Sequence, residues 1–291
     1  MKDFAQKVAL ITGAGSGIGR ALSLELADLG CNLALVDWNE ESLEETKQLL
    51  RKKNIAVSTH AFDISDKQKV KALPEEVIEF HKQIDLVFNN AGVSIVGTVN
   101  EVDESDWNWG LDILLHSVIQ MTTSFLPYLE KRPEAAIINT SSIFGLFGVP
   151  KQSIYNVGKF GVKAFTESLS LELEMAESTV EAYCVFPGHI GTNIYASSRF
   201  KSFEKDDAGA AIFGVNAETK EEAGAQFKKN APMSSAAAAK VILKNIKKKN
   251  KRILIGKDAH FYDLMSRLFP KNFLKIIWIL PFLRNLFKSK N

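Results

Sequence analysis

The feature that most constrains this chain is the run Thr12-Gly13-Ala14-Gly15-Ser16-Gly17-Ile18-Gly19. It lies between a strand-like Val8-Ala9-Leu10-Ile11 and a helix-forming Arg20-Ala21-Leu22. Closely spaced glycines allow a tight turn and let backbone N–H groups approach an anion, and the helix start adds partial positive charge. A loop of this kind belongs where a parallel strand feeds a helix, so it predicts the wider architecture.

The rest of the chain agrees. Short β-rich runs near 8–12, 32–37, 55–61, 84–88, 135–141, 180–186 and 252–255 alternate with helical patterns over 17–30, 41–53, 67–82, 103–130, 152–177 and 234–248. Runs such as Leu33-Ala34-Leu35-Val36 are continuously apolar, as in strands covered by helices on both faces. The expected fold is α/β, a Rossmann-type doubly wound parallel sheet of about seven strands. No internal repeat or linker divides the chain, so a single catalytic domain over 1–257 is expected. Within it, 189–232 is a long connection suited to a substrate lid. Residues 258–291 form a basic amphipathic tail.

Composition narrows the function classes. Thirty-six basic and 34 acidic side chains leave a net charge of +2, which gives no reason to expect a nucleic-acid partner. Cys31 and Cys184 stand alone in apolar runs, so neither a disulfide framework nor a metal site is expected. His60, His81, His189 and His260 have no ligand spacing. No signal peptide and no apolar run of the ~20 residues needed to span a bilayer are visible, which implies a cytoplasmic protein. From Leu264 to Asn291 there are six basic residues and no acidic one, among Phe273, Ile276, Trp278 and Phe282. This segment is a candidate for peripheral membrane contact, for covering a pocket, or for packing on a second subunit.

Asp37 ends the second strand, 18 residues after Gly19. A carboxylate there accepts hydrogen bonds from both hydroxyls of an adenosine ribose and repels a 2′-phosphate. Trp38 and Ser16 offer no compensating charge, and Arg20 is expected to point elsewhere. NAD is therefore preferred over NADP. Further along, Tyr155 and Lys159 stand four residues apart in a helical stretch and share one face. An ammonium beside a phenol stabilises the phenolate, making the tyrosine a candidate acid/base. Ser142, just past the strand Ala136-Ile137-Ile138-Asn139, is placed to hold a substrate oxygen at the sheet's C-terminal edge.

Taken together, Thr12-Gly13-x-x-x-Gly17-x-Gly19, Asp63, Asn89-Asn90-Ala91-Gly92, Ser142, Tyr155-Asn156-Val157-Gly158-Lys159 and Pro187-Gly188 with Thr192 resemble the short-chain dehydrogenase/reductase family, in order and spacing, over residues 5–256. The resemblance implies that Gly13, Ser16, Gly17, Ile18 and Gly19 cradle the cofactor. It also implies that Asp63 and Ile64 meet the adenine, and that Asn90, Ala91 and Gly92 border the adenosine ribose. Ser142 would polarise the substrate oxygen, Tyr155 would exchange the proton, and Lys159 would bind the nicotinamide ribose. Pro187, Gly188, Ile190 and Thr192 would lie along the nicotinamide. Homodimers or homotetramers through the helices at 103–130 and 152–177 are implied as well.

The expected reaction is reversible interconversion of a hydrophobic alcohol and its ketone or aldehyde. Ile143, Phe144, Leu146, Phe147, Ile95, Val96, Tyr195, Phe200, Phe203, Phe213 and Phe227 are candidate pocket residues or, equally, ordinary core and lid packing. One position departs from the family. Leu114 stands where a helix asparagine commonly anchors a water linking the lysine to solvent, so the usual proton relay must be altered, with His116 or Ser117 as substitutes. That leaves a catalytically weakened dinucleotide-binding sensor as the alternative function; an epimerase or dehydratase is a third.

Overall fold

The structure, a computed structural model, describes Met1, residues 3–201, Val215 and residues 217–273. The main strands are β1 (Val8–Thr12), β2 (Asn32–Asp37), β3 (Val57–Ala61), β4 (Leu86–Asn89), β6 (Ala135–Thr140), β7 (Val180–Pro187) and β11 (Arg252–Ile255). Four short strands, β5 (Ile95–Val96), β8 (Ile190–Gly191), β9 (Arg199–Phe200) and β10 (Met233–Ser234), sit beyond the main sheet. The helices are α1 (Gly17–Asp28), α2 (Glu40–Leu50), α3 (Lys67–His81), α4 (Glu104–Leu111), α5 (Ser117–Leu129), α6 (Ser153–Met175), α7 (Lys220–Asn230), α8 (Ser235–Lys247) and α9 (Lys257–Leu268).

Strand alternation builds two cores. Along β1, Ala9 and Ile11 join one cluster while Val8 and Leu10 join the other; along β2, Leu33 and Leu35 part from Ala34 and Val36 in the same way. The first core takes Leu22 and Leu26 of α1 and Ile242 and Ile246 of α8. The second takes Val70 and Val77 of α3, Phe125 of α5 and Leu169 of α6. With helices on both faces, the seven strands run parallel in the order β11-β7-β6-β4-β1-β2-β3. Chain order reverses between β1 and β4, and open sheets bind ligands at such a point, outside the strands' carboxyl ends.

The predicted strands and helices are present, with small shifts at their ends. Three features differ. The helix expected over 103–130 is interrupted by a π-helical stretch, Asp112–His116. There α4 and the π turn interlock with α6: Ile154 Cγ2 occupies the space over Gly110, and the Leu114 side chain the space over Gly158. The 189–232 connection contains α7 and two short strands, β8 and β9, and its residues 202–214 and Asn216 lie outside the described residues. The segment read as a tail begins with α9, which joins the body of the protein, while residues 274–291 lie outside the described residues. Among the described residues no helix is long and apolar enough to cross a membrane.

Candidate active site

The glycine loop is built by contacts that no side chain would permit. Gly13 and Gly17 have φ of +68° and +53°, a region L-residues rarely enter. A Cβ on Gly13 would lie 3.0 Å from Ala91 Cα, and one on Gly19 would overlap the Gly13 carbonyl. Thr12 locks this loop to the next strand end. Its hydroxyl accepts from the N–H groups of Asn90 at 2.9 Å and Ala91 at 3.0 Å, and the Asn90 amide donates to the Thr12 carbonyl at 3.1 Å. Gly17 faces Thr192 across the cleft, with 3.4 Å from the would-be Cβ to Thr192 Cγ2. An open cradle of backbone at a helix start therefore lies where a dinucleotide's diphosphate fits.

Asp37 closes one end of this cradle. Its Oδ2 accepts from Gly15 N at 2.8 Å and its Oδ1 from Asn39 N at 3.0 Å, which fixes the carboxylate while leaving each oxygen a second lone pair. Arg20 points away as expected, its guanidinium 2.7 Å from the Glu45 carboxylate and 2.9 Å from the Thr46 hydroxyl. Asp63 is exposed just beyond β3 and caps Ser65 N at 2.9 Å, while Ile64 is buried.

The structure brings Ser142, Tyr155 and Lys159 together. Ser142, just past β6, accepts from Phe144 N at 3.1 Å and is hydrogen-bonded to the Tyr155 hydroxyl. Lys159 is buried, its ammonium 5.7 Å from the Tyr155 ring centroid and donating to the Thr140 carbonyl at 2.8 Å. Their electrostatics correct the sequence-based expectation of a phenol acidified by its neighbour. Burial pushes the Tyr155 phenol up to about 12, against the lowering effect of the Ser142 hydrogen bond. Burial likewise holds Lys159 down to about 8, partly offset by Cys184. Desolvation outweighs the pairing, so the phenol rests protonated.

A wall of aromatics stands beside Tyr155. Phe144 meets the Tyr155 ring edge-on at 6.2 Å, and Phe147 lies 5.3 Å from Tyr262 and 4.8 Å from Phe273. Ile143, Leu146 and Met265 also belong to this cluster. Ile95 lies on another side of Tyr155, with Leu114 and Ile154. The remaining pocket candidates do not converge here. Tyr195, Phe200 and Phe227 form a separate small core within the 189–232 connection, Tyr195 stacking on Phe227 at 5.4 Å, and Val96 pairs with Phe200 in a two-stranded ladder. Phe203 and Phe213 lie outside the described residues.

Two contributors escaped the sequence reading. The buried Asn156 amide donates to the carbonyls of Phe144 at 2.7 Å and Phe147 at 3.0 Å and accepts from Val149 N at 3.0 Å, fixing the loop that carries the wall. Tyr262 comes from α9; the apolar spacing Ala259, Tyr262, Met265 was its available signal. Leu114 is fully buried, and its Cδ2 and the Lys159 ammonium flank Gly92. Its suggested substitutes are engaged elsewhere: the exposed His116 pairs with Asp112 at 2.8 Å, and the Ser117 hydroxyl donates to the Ile113 carbonyl at 2.7 Å. Both cysteines are buried free thiols, and no metal-binding cluster occurs among the described residues.

The short chain dehydrogenase family model matches residues 7–202. The chain belongs to the short-chain dehydrogenase/reductase family. Putative oxidoreductase SadH of Mycobacterium tuberculosis is 32% identical over 277 residues, covering 95% of this chain and 96% of that protein. The 15-hydroxyprostaglandin dehydrogenase [NAD(+)] of Macaca fascicularis is 35% identical over 206 residues, covering 69% and 73%. A short-chain dehydrogenase/reductase of Burkholderia phymatum, solved in complex with NAD, superposes with a TM-score of 0.82 at 27% identity, covering 93% and 96%. This short-chain dehydrogenase/reductase is thus an oxidoreductase on a dinucleotide-binding Rossmann-type fold.

Proposed function

We propose that the chain interconverts a hydrophobic alcohol and its ketone or aldehyde, with NAD preferred and Tyr155 as general acid/base. The observation that carries this reading is the convergence of Ser142, Tyr155 and Lys159 beside an apolar wall at the sheet's C-terminal edge. Nicotinamide, when bound, supplies or accepts the hydride. The protein's own groups handle the proton and the positioning. Tyr155, protonated at rest, gives its proton to a carbonyl oxygen in the reductive direction, and Ser142 donates a hydrogen bond to the same oxygen. Lys159 holds the nicotinamide ribose, and its charge lowers the phenol's affinity for its proton once cofactor and substrate assemble. Gly13, Ser16, Gly17, Ile18 and Gly19 hold the diphosphate. Asp63 and Ile64 flank the adenine, while Asn90, Ala91 and Gly92 border its ribose. Pro187, Gly188, Ile190 and Thr192 line the nicotinamide. Names among the relatives and neighbours that include NAD support this cofactor.

Tyr155→Phe is the test. On a panel of alcohols and ketones followed by reduced-nicotinamide absorbance, it lowers kcat by about 10³-fold or more while NADH affinity stays within twofold. Wild-type binding without turnover on any member overturns the reading in favour of a sensor. For the cofactor choice, Asp37→Ala lowers the NAD-over-NADP preference in kcat/KM by about tenfold through lost ribose hydrogen bonds and lost repulsion. An unchanged ratio removes Asp37 from that role.

Two partner readings accompany this one. Val157 and Phe160 are exposed on α6, which supports pairing of that helix across a two-fold axis; a monomeric mass in light scattering removes it. Leu264, Leu268 and Phe269, at the start of the basic 264–291 segment, are exposed, which supports peripheral contact with anionic lipid. Flotation of the full chain with anionic vesicles, matched by a chain ending at Lys257, eliminates that contact.

A further inference from the structure

Between the starts of α1 and α8 lies a cavity of about 360 Å³ whose lining includes Ser16, Gly17, Thr192, Asn193, Lys228 and Ser235. Two cationic side chains reach it. Arg20 is already neutralised, its guanidinium 2.7 Å from Glu45 and 3.0 Å from the Ser42 carbonyl. Lys228 is different. Its ammonium donates to the neutral Asn193 amide oxygen at 3.2 Å, and among the described residues no carboxylate pairs with it.

The backbone that carries Lys228 is firmly seated. The Lys228 carbonyl would stand 3.3 Å from a Cβ on Gly191, a closeness that glycine permits. One residue earlier, the Phe227 carbonyl is bonded to the buried His189 imidazole at 2.7 Å, and the two rings lie 4.4 Å apart. A lysine from α7, far in sequence from the glycine loop, is thereby held at the rim of the space between Gly17 and Thr192.

We infer that Lys228 binds the diphosphate of the dinucleotide, supplying a full positive charge that the glycine loop lacks. The inference rests on the dinucleotide-binding reading of that loop. Backbone N–H groups and a helix start carry only partial charges, whereas a diphosphate brings two full negative ones. Moving a flexible ammonium from a neutral amide to a phosphate oxygen replaces a neutral acceptor by a charged one and strengthens the bond. Because α7 lies in the connection after β7, the contact also ties that connection to cofactor binding.

The test is calorimetric titration of the full chain with ADP-ribose and with adenosine, comparing wild type with Lys228→Ala, Lys228→Arg and Lys240→Ala. Lys240 is an exposed lysine paired with Glu25 at 3.6 Å and serves as a charge control. Lys228→Ala weakens ADP-ribose binding by about tenfold, and Lys228→Arg restores most of it. Adenosine affinity is the same in all four proteins, and Lys240→Ala binds ADP-ribose within twofold of wild type. If wild type binds ADP-ribose and Lys228→Ala matches it, the lysine's role is overturned while the loop reading stands. If Lys228→Ala loses adenosine to the same extent, the role is structural and the inference also falls. If wild type binds no ADP-ribose, loop reading and inference fall together.

Discussion

The two halves of the cleft are made of different materials. On the proposed cofactor side, the surface is backbone: glycines at φ of +68° and +53°, and one threonine hydroxyl bonding two N–H groups of the next strand end. On the proposed substrate side, the surface is made of side-chain volume, with Phe144, Phe147, Tyr262 and Phe273 in edge-on and tilted ring contacts. A backbone cradle tolerates almost no change of residue. A van der Waals wall accepts any apolar set that fills the same space. The first half should therefore break on a single methyl group, and the second should bend.

Lys159 stands at the seam, and its loss is the largest expected effect that reaches both halves. Burial holds its folded value at about 8, below the ordinary 10.5, so between those two pH values the unfolded chain binds more protons than the folded one. Stability therefore rises with pH across that window, and below pH 8 the folded state carries a penalty on the order of 3 kcal/mol. Lys159→Met removes the penalty. At pH 7 its thermal midpoint lies roughly several degrees above that of wild type, and the gap closes as pH rises towards 10.5. Turnover falls by about 10²-fold or more, since both the proposed ribose contact and the charge beside Tyr155 are lost. Parallel wild-type and mutant midpoints from pH 7 to 10.5 would show that desolvation of this ammonium is not felt.

Next in size is the contrast between two glycines. A methyl at Gly19 collides with the Gly13 carbonyl and sits 2.8 Å from Asn90 Nδ2, so Gly19→Ala displaces the loop and weakens NADH binding by about 10²-fold in fluorescence titration. Gly148, in the loop on the substrate side, has nothing within 4 Å of the same methyl. Gly148→Ala leaves NADH affinity within twofold. Equal losses in the two variants would erase the distinction between the halves.

What could be read in the sequence follows the same division. The cradle, Asp37, Ser142, Tyr155 and Lys159 were legible because each depends on residue type at fixed spacing along one strand–turn–helix unit. The seven strands were legible because short, β-rich and largely apolar runs set between helical patterns are a local signal. Tyr262 and Phe273 were not, since only tertiary packing brings α9 onto the loop after β6. Nor could spacing show that Tyr195, Phe200 and Phe227 would close on one another within the connection. The direction of the phenol's shift also escaped, because the four-residue spacing of Tyr155 and Lys159 says nothing about how much water either keeps.

The smallest predicted effect tests whether the substrate half bends. Phe147 is buried and touches Phe144, Tyr262 and Phe273, so Phe147→Leu keeps an apolar surface while altering its shape. The neighbouring aromatics can relax into part of the vacated space, and a pocket change of a few methylene groups is worth roughly 1–3 kcal/mol between substrates of different size. Because that relaxation leaves only the low end of this range, about 1 kcal/mol, the expected outcome is a roughly five- to tenfold change in the ratio of kcat/KM for long and short alkyl ketones, with NADH affinity unchanged. Tyr155 and Ser142 stay in place because Asn156 still grips the Phe144 carbonyl and the carbonyl at position 147 through the backbone. A uniform fall for every ketone, or a parallel loss of NADH binding, would mean that the wall supports the catalytic loop rather than sorting substrates, and the two halves would then be one mechanical unit.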